Sequence, residues 1–138
     1  MLVPLQKPLD SVEPLAALDL LSGGKLDFGT GIGYWDVDLK VFGVLCDGLG
    51  PCSEECLTAI RCPRAEDFLA IKGAAFELDH ANRTVKSLQT PTLAIWVGAN
   101  ADIAIRRAAG IGNCCYIKPY NTLATALRRH DGFHQPCQ

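Results

Sequence analysis

Basic charge is in short supply in this chain. Thirteen Lys and Arg stand against fifteen Asp and Glu, for a net charge of −2. That leaves no electrostatic footprint for nucleic acid or for an anionic membrane surface. Long apolar runs are also missing, since Gly, Pro or a charged residue interrupts them every few positions, and no transmembrane helix fits. The opening stretch MLVPLQKPLD has no basic segment followed by an apolar one, so a secretory signal is not expected and a cytoplasmic setting is the default. No Gly-x-Ser-x-Gly, Walker or HExxH pattern occurs, which removes the common hydrolase, nucleotide-loop and zincin readings.

Seven cysteines are present (Cys46, Cys52, Cys56, Cys62, Cys114, Cys115 and Cys137). The count is odd, no secretory signal accompanies it, and no C-x2-C pair occurs. Structural or incidental thiols are therefore expected rather than a disulfide framework or a metal site. The cluster from Cys46 to Cys62, with His130, His134 and Cys137 in the tail, leaves a small cysteine-rich metal-binding module as an alternative of a different class.

What the chain does have is a soluble-domain composition, 49% hydrophobic and 20% charged over 138 residues, enough for one domain over 1–138 with a real core. It also has three glycines in five positions, Gly29-Thr30-Gly31-Ile32-Gly33, after a short apolar run and before a helix-compatible segment. Glycine lets the backbone bend sharply and leaves room for a ligand, and N–H groups at the next helix start can hold an anion. In this reading Gly29, Thr30, Gly31 and Gly33 wrap a phosphate, with the Thr30 hydroxyl as an added donor. The bland reading is a tight strand-to-helix turn. The dinucleotide fingerprint is not met, because Tyr34 stands where it needs glycine.

Along the chain, Ser11 is the expected cap of a first helix, with Glu13 and Pro14 in its opening turn and Gly23-Gly24 as its stop. Leu15, Leu18 and Leu21 share its inner face. Residues 26–28 read as a strand, and 34–42 as a short helix with Trp35, Leu39 and Phe42 on one side. Residues 43–51 read as loop. Ser53 is the expected cap of a helix with Cys56, Leu57 and Ile60 inward, stopped by Pro63, and residues 65–69 add one more turn. Residues 68–78 carry a weak hairpin pattern around Gly73, and 79–90 read as polar linker containing His80. Residues 92–97 are the clearest strand, a near-continuous apolar run of the kind covered on both faces. Residues 101–109 are strongly helical, with Ile103 and Ile105 apolar, Asn100 as cap, and Arg106-Arg107 as its solvated end. Residues 114–117 form another strand, and 121–129 a last helix.

Strand, glycine loop and helix thus recur three times, at LDFGTGIG, AIWVGAN and CCYIKPYN. Repeated βα units predict a parallel sheet, doubly wound or closed as a barrel, with ligands at the carboxyl ends of the strands. Gly98, Ala99 and Asn100 form the second loop of that rim. Lys118 follows the third strand and is expected to be solvated, while Trp35 and Trp96 are expected in the core or lining a barrel.

These residues resemble the luciferase-like monooxygenases, which use FMN or the deazaflavin F420 on a TIM barrel. The family shows a "P-x-r-x-P" segment, "LD-x-LSGGR", a "GxGxG" loop and "FGV". Here they read Pro4 to Pro8, Leu18 to Lys25, Gly29 to Gly33, and Phe42-Gly43-Val44. Its middle helix carries a glutamate before an "f-x-G-x-x-f" hairpin, similar to Glu54 or Glu55 and IKGAAF from Ile71 to Phe76. Its "PPIWVGG" and "ALRRAA-x-x-GD" are similar to Pro91 to Asn100 and Ile103 to Gly112. Departures are Lys25 for arginine, Cys62-Pro63-Arg64 for a Leu-Trp pair, Thr92-Leu93-Ala94 for paired prolines, and Asn113 for aspartate.

The resemblance implies a partial TIM (β/α)8 barrel of about three to four βα units, from the end of the third strand through about the sixth. It implies a flavin-dependent oxidoreductase or monooxygenase, with FMN, or alternatively F420, as cofactor and a small-molecule substrate. Reduced flavin there activates dioxygen, and F420 exchanges hydride. Gly29, Thr30, Gly31, Gly33, Gly98, Ala99 and Asn100 are the implied cofactor-binding residues, on the phosphate side; no catalytic residue and no metal ligand is assigned. A half-barrel leaves open sheet edges and an uncovered apolar face, so a truncated form, self-association or a complementing chain is expected. A non-catalytic flavin-binding or assembly protein is the alternative within the same fold.

Overall fold

The first helix shows how local signals compete. The computed structural model describes residues 1–33, 36–43, 48–62, 68–82, 84–116 and 127. Helix α1 runs from Pro8 to Leu21, with Lys7 at its boundary, so it starts before the expected Ser11 cap. Pro8 takes the first helical position, where a fixed φ helps and a missing N–H costs little. Ser11 sits inside the helix and its hydroxyl points back at the Lys7 carbonyl, 3.5 Å away. The expected stop does operate. Gly23 and Gly24 both take positive φ, and the Gly24 amide donates to the Asp19 carbonyl at 2.8 Å. Of the three leucines placed on the inner face, Leu15 is buried, whereas Leu18 is half-exposed and Leu21 is 84% exposed.

Strand β1 is Asp27–Thr30, one step later than expected, so Gly29 and Thr30 belong to the strand and not to the turn after it. Helix α2 follows at Asp36–Val41; it buries Leu39 but leaves Phe42 beyond it exposed. Helix α3 spans Leu49–Ile60 from a left-handed Gly48, φ 91°. Residues 49–51, expected as loop, are therefore helical, and Ser53 is a buried helical residue and not a cap. A glycine that can turn the chain sharply sets the helix start earlier than the serine would. Cys56, Leu57 and Ile60 do face inward. The hairpin is present: β2, Phe68–Lys72, pairs antiparallel with β3, Glu77–Asn82. The polar linker therefore shrinks, because residues 79–82, His80 included, are strand.

Strand β4 is Ala94–Gly98, helix α4 is Asp102–Ile111, and strand β5 is Cys114–Tyr116. Helix α4 starts from Ala101 without a side-chain cap, so Asn100 lies one residue outside the expected capping position. Ile105 is buried and Ile103 exposed. Arg107 is a correction as well: its guanidinium pairs with Glu54 on α3 and is only 20% exposed, so the end of α4 is pinned to α3.

The three strands form one parallel sheet in the order β1-β4-β5. Asp27 to Thr30 lie opposite Ala94 to Val97, and Trp96 to Gly98 opposite Cys114 to Tyr116. Beyond β1, Leu2 makes a parallel bridge to Gly31; Gly31 N–H donates to Met1 O at 3.0 Å and Val3 N–H to Gly31 O at 3.2 Å. Side chains alternate across a strand. Phe28, Ile95 and Val97 enter the core with Val12, Leu15, Leu57, Ile60, Ile105 and Ala108, so the helices cover one face of the sheet. This is the expected α/β architecture, a parallel sheet arranged as part of a (β/α)8 barrel. Among the described residues no helix is long and apolar enough to cross a membrane. Of the helical turn expected over 65–69, residues 68 and 69 are instead the start of β2. The rest of it lies outside the described residues, as do the expected last helix apart from residue 127, and Tyr34, Trp35, Cys46, Lys118, His130, His134 and Cys137.

Candidate functional site

Among the described residues the other face of the sheet is left uncovered, with Trp96 and Tyr116 exposed on it. A cavity of about 540 Å³ lies over it, lined by Met1, Leu2, Asp27, Gly29, Thr30, Gly31, Trp96, Gly98 and Tyr116. The strand register explains the membership. Asp27, Gly29 and Gly31 alternate with the core-facing Phe28 and Thr30, Trp96 and Gly98 alternate with Ile95 and Val97, and Tyr116 sits beside Gly98. Gly29 and Gly31 have nothing within 4 Å of where a Cβ would project, so glycine makes a bare floor there. Trp96 and Tyr116 form the walls, 40% and 56% exposed. The volume falls in the usual range for small-molecule sites, about 300–1,000 Å³.

Of the residues expected to hold a cofactor, Gly29, Thr30, Gly31 and Gly98 come together on this cavity, while Gly33, Ala99 and Asn100 lie outside its lining. The imagined cradle of amides is partly spent inside the fold. Gly31 N–H donates to Met1 O, and Ala99 N–H donates to Tyr116 O at 3.2 Å. Thr30 borders the cavity, but its hydroxyl is buried with no hydrogen-bond partner, and its position in the pleat puts it on the face of Phe28. Gly98 has a packing reason to lack a side chain, because a Cβ would come within 3.2 Å of Thr30 O. Asp27 is the charged side chain of the lining. The surface therefore suits a flat, largely apolar group over the glycines better than a bare anion.

Two carboxylates tie the surrounding elements together: Asp19, which sequence reasoning passed over, and Glu55, one of the two glutamates expected before the hairpin. Asp19 is 0% exposed. One of its oxygens accepts from Leu88 N–H at 2.7 Å and Gln89 N–H at 3.0 Å, and the other from Gln89 Nε2 at 2.8 Å and Leu26 N–H at 3.4 Å. Burial pushes its carboxyl up, but these donors, led by Gln89, outweigh it and hold the group below its ordinary 3.8. Gln89 completes the clamp, donating to Leu26 O at 2.6 Å and accepting from Ala94 N–H at 2.9 Å, which fixes the starts of β1 and β4. Glu55 accepts from Ala74 N–H at 2.7 Å and Ala75 N–H at 2.9 Å in the hairpin turn. The Ala75 amide is the main cause of its lowered pKa, with Ala74 and Phe76 adding against a smaller burial effect. The available signal for Asp19 was its place four positions after the buried Leu15 on an apolar helix. Asn113 takes a matching role, its Oδ1 accepting from Ile95 N–H at 2.9 Å.

Comparison with known proteins places this geometry. No protein-family profile matches the chain. A monooxygenase, RslO1 from Streptomyces bottropensis, superposes with a TM-score of 0.84 at 21% identity, over 95% of this chain and 40% of that one. The fold is shared. A coenzyme F420 dependent tetrahydromethanopterin reductase from Methanopyrus kandleri superposes with a TM-score of 0.65 at 18% identity, over 82% of this chain and 36% of that one. In sequence, two uncharacterized proteins of Sinorhizobium fredii are 27% and 31% identical, over 94% and 96% of this chain. An uncharacterized protein of Mycobacterium tuberculosis is 27% identical over 78% of this chain. The chain spans only 34% to 40% of the length of these relatives.

Among the described residues no three His, Cys, Asp or Glu side chains gather to hold a metal ion. Cys52, Cys56 and Cys114 are free thiols. Cys56 is buried, and burial above all, helped by Cys52 and Glu55, pushes its thiol up to about 12. A thiol so reluctant to ionise is a poor ligand and a poor nucleophile.

Proposed function

We propose that this chain forms the cofactor-facing wall of a flavin- or F420-dependent oxidoreductase. The observation that carries the reading is the glycine-floored cavity between Trp96 and Tyr116, which runs along the parallel strands to their carboxyl ends at Thr30, Gly98 and Tyr116, the place where α/β barrels bind ligands. The two solved structures that share the fold, a monooxygenase and an F420 dependent reductase, support the same chemistry.

The residues present fit the ring of such a cofactor. Gly29 and Gly31 leave open space above the strand, and Trp96 and Tyr116 bound it with apolar surface. The phosphate end would then reach past the strand ends toward Gly33, whose φ is +84°, and toward Ala99 and Asn100 at the start of α4. When bound, the reduced ring supplies the electrons of the reaction; FMN and F420 both meet these requirements. The role of this chain is to seat the ring against β1 and β4 and keep water from one side of it.

Gly31→Val tests the reading. Its Cβ would enter empty space, and valine suits an extended backbone, so thermal stability should hold within about 1 kcal/mol. FMN and F420 binding, followed by fluorescence titration, should weaken at least about tenfold, or about 1.4 kcal/mol. Failure of the wild-type chain to bind either molecule, or unchanged affinity in Gly31→Val, overturns the proposal.

A further inference from the structure

We infer that Asp27 orients the cofactor ring, its carboxylate accepting the N–H of the pyrimidine edge and so fixing which end of the ring lies deepest along β1. The inference rests on the cofactor seat proposed above. Asp27 opens β1 and shares the cavity face with Gly29 and Gly31, because positions two apart in a strand project to the same side. Its neighbour across the sheet is Ala94, which offers only a methyl, and the next position along its own face is the bare Gly29. The carboxylate therefore stands clear at one end of the floor. At a rise of about 3.3 Å per residue, its Cα lies about 7 Å along the strand from that of Gly29 and about 13 Å from that of Gly31. Among the described residues it has no hydrogen bond or ion pair. The Met1 amino group in the same lining is directed instead at Gly29 O, at 2.9 Å.

Ring chemistry decides what such a group can hold. An ionised carboxylate only accepts hydrogen bonds, and covering it with apolar surface removes its hydration with nothing in exchange. The benzenoid end of FMN carries methyl and C–H groups. The pyrimidine end, which F420 shares, carries an N–H between two carbonyls. Only the pyrimidine end can offset the loss of water at Asp27. The other polar tips of the described lining do not compete for that N–H at this depth. The Trp96 indole donates only, and Tyr116 stands beside Gly98 at the carboxyl end of the sheet. With the phosphate directed past Gly33 and Asn100, the ring is the part of the cofactor that reaches along Gly31 and Gly29 toward Asp27. A fixed negative charge at that edge also opposes electrons added to the ring, so it lowers the potential at which the ring is reduced.

The test compares FMN, or F420 where that is the ring bound, with the N3-methyl derivative of the same ring, which lacks the donor. Fluorescence titration of the purified full chain reads both affinities. Wild type should bind the parent ring at least about tenfold more tightly than the methylated one, the effect of one hydrogen bond to a charged group. Asp27→Leu should abolish that preference by weakening the parent ring alone. Asp27→Asn, which keeps an acceptor, should retain part of it. Both variants should melt with wild type, because Asp27 is an exposed strand residue. The midpoint potential of the bound ring should rise in Asp27→Asn, a shift that a merely structural role would not produce. Equal binding of the two rings by wild type, an Asp27→Leu chain that weakens both alike, or an unchanged potential in Asp27→Asn overturns the inference and leaves the proposed seat standing. A wild-type chain that binds neither FMN nor F420 overturns the proposed function, and the inference falls with it.

Discussion

Asp19→Asn changes one atom in a buried clamp and should cost the protein much of its stability. Each carboxylate oxygen accepts two donors: Leu88 and Gln89 amides on one, the Gln89 side chain and the Leu26 amide on the other. Whichever oxygen becomes NH2 in asparagine, that group faces two N–H groups and can accept from neither. Two donors then lose their partner beside a fully buried side chain, at about 1–3 kcal/mol each. A loss of about 2–6 kcal/mol follows, against a typical total of about 5–15. With a urea slope of about 2 kcal/mol per molar, the middle of the range for a small domain, the midpoint should fall by roughly 1–3 M. Urea melts followed by circular dichroism measure it. The pH dependence carries a sign of its own. The folded carboxyl is held below 3.8, so its contribution is complete above the unfolded value and is lost as pH falls through the folded one. The gap between wild type and Asp19→Asn should thus be constant from pH 7 to about 5 and close in strong acid. A midpoint shift under about 0.3 M, or a gap that persists unchanged down to pH 3, would refute the clamp.

Two further outcomes test the packing. Gly112→Ala places a Cβ 2.9 Å from Val97 Cγ2 and 3.0 Å from Ala108 O; a stiff core valine and a backbone carbonyl cannot give way cheaply. The overpacking cost of about 1–3 kcal/mol should exceed the chain-entropy gain of about 0.4–1, lowering the melting temperature. Iodoacetamide at pH 7.5, with peptide mass spectrometry, should modify Cys52 and Cys114 well before Cys56, whose thiol is held near 12 mainly by burial. Equal labelling of all three in the folded protein would contradict the packing of α3.

The parts of the fold that could be read from the chain are those fixed by period and by glycine stops. The apolar run at 92–97 became β4, the inward face of Cys56, Leu57 and Ile60 became the core side of α3, and Gly23-Gly24 ended α1. Helix starts could not be read in the same way. Ser11, Ser53 and Asn100 are all good caps in isolation, yet Pro8, Gly48 and Ala101 set the boundaries, because backbone geometry and tertiary packing outweigh a cap worth about 1 kcal/mol. The Asp19 clamp was hidden for another reason. Its partners, Leu88 and Gln89, are about seventy positions away in a segment without helix or strand. No local pattern marks such a contact. Arg107 was misplaced on the same grounds, since its partner Glu54 lies on another helix.

The glycine run has a different meaning in the sheet than in a turn. A phosphate loop uses glycine to bend, and bending requires angles that other residues avoid. Here Gly29 is extended strand and Gly31 continues it through the Leu2 bridge; only Gly33 takes a positive φ. The spacing of two puts Gly29 and Gly31 on one face of the pleat, and the register sets Gly98 beside them on β4. What selects glycine at 29 and 31 is therefore space over the lumen, while the alternate residues Phe28 and Thr30 go to the core. The period of two was already written in G-T-G-I-G, and it distinguishes a floor from a cradle. A floor needs something to lie on it. In the function proposed above, that is the flat ring of the cofactor, lying over the open space at both glycines. Gly31→Val tests the floor directly, because a side chain there enters the open space without touching the core and should weaken ligand binding while the fold is kept.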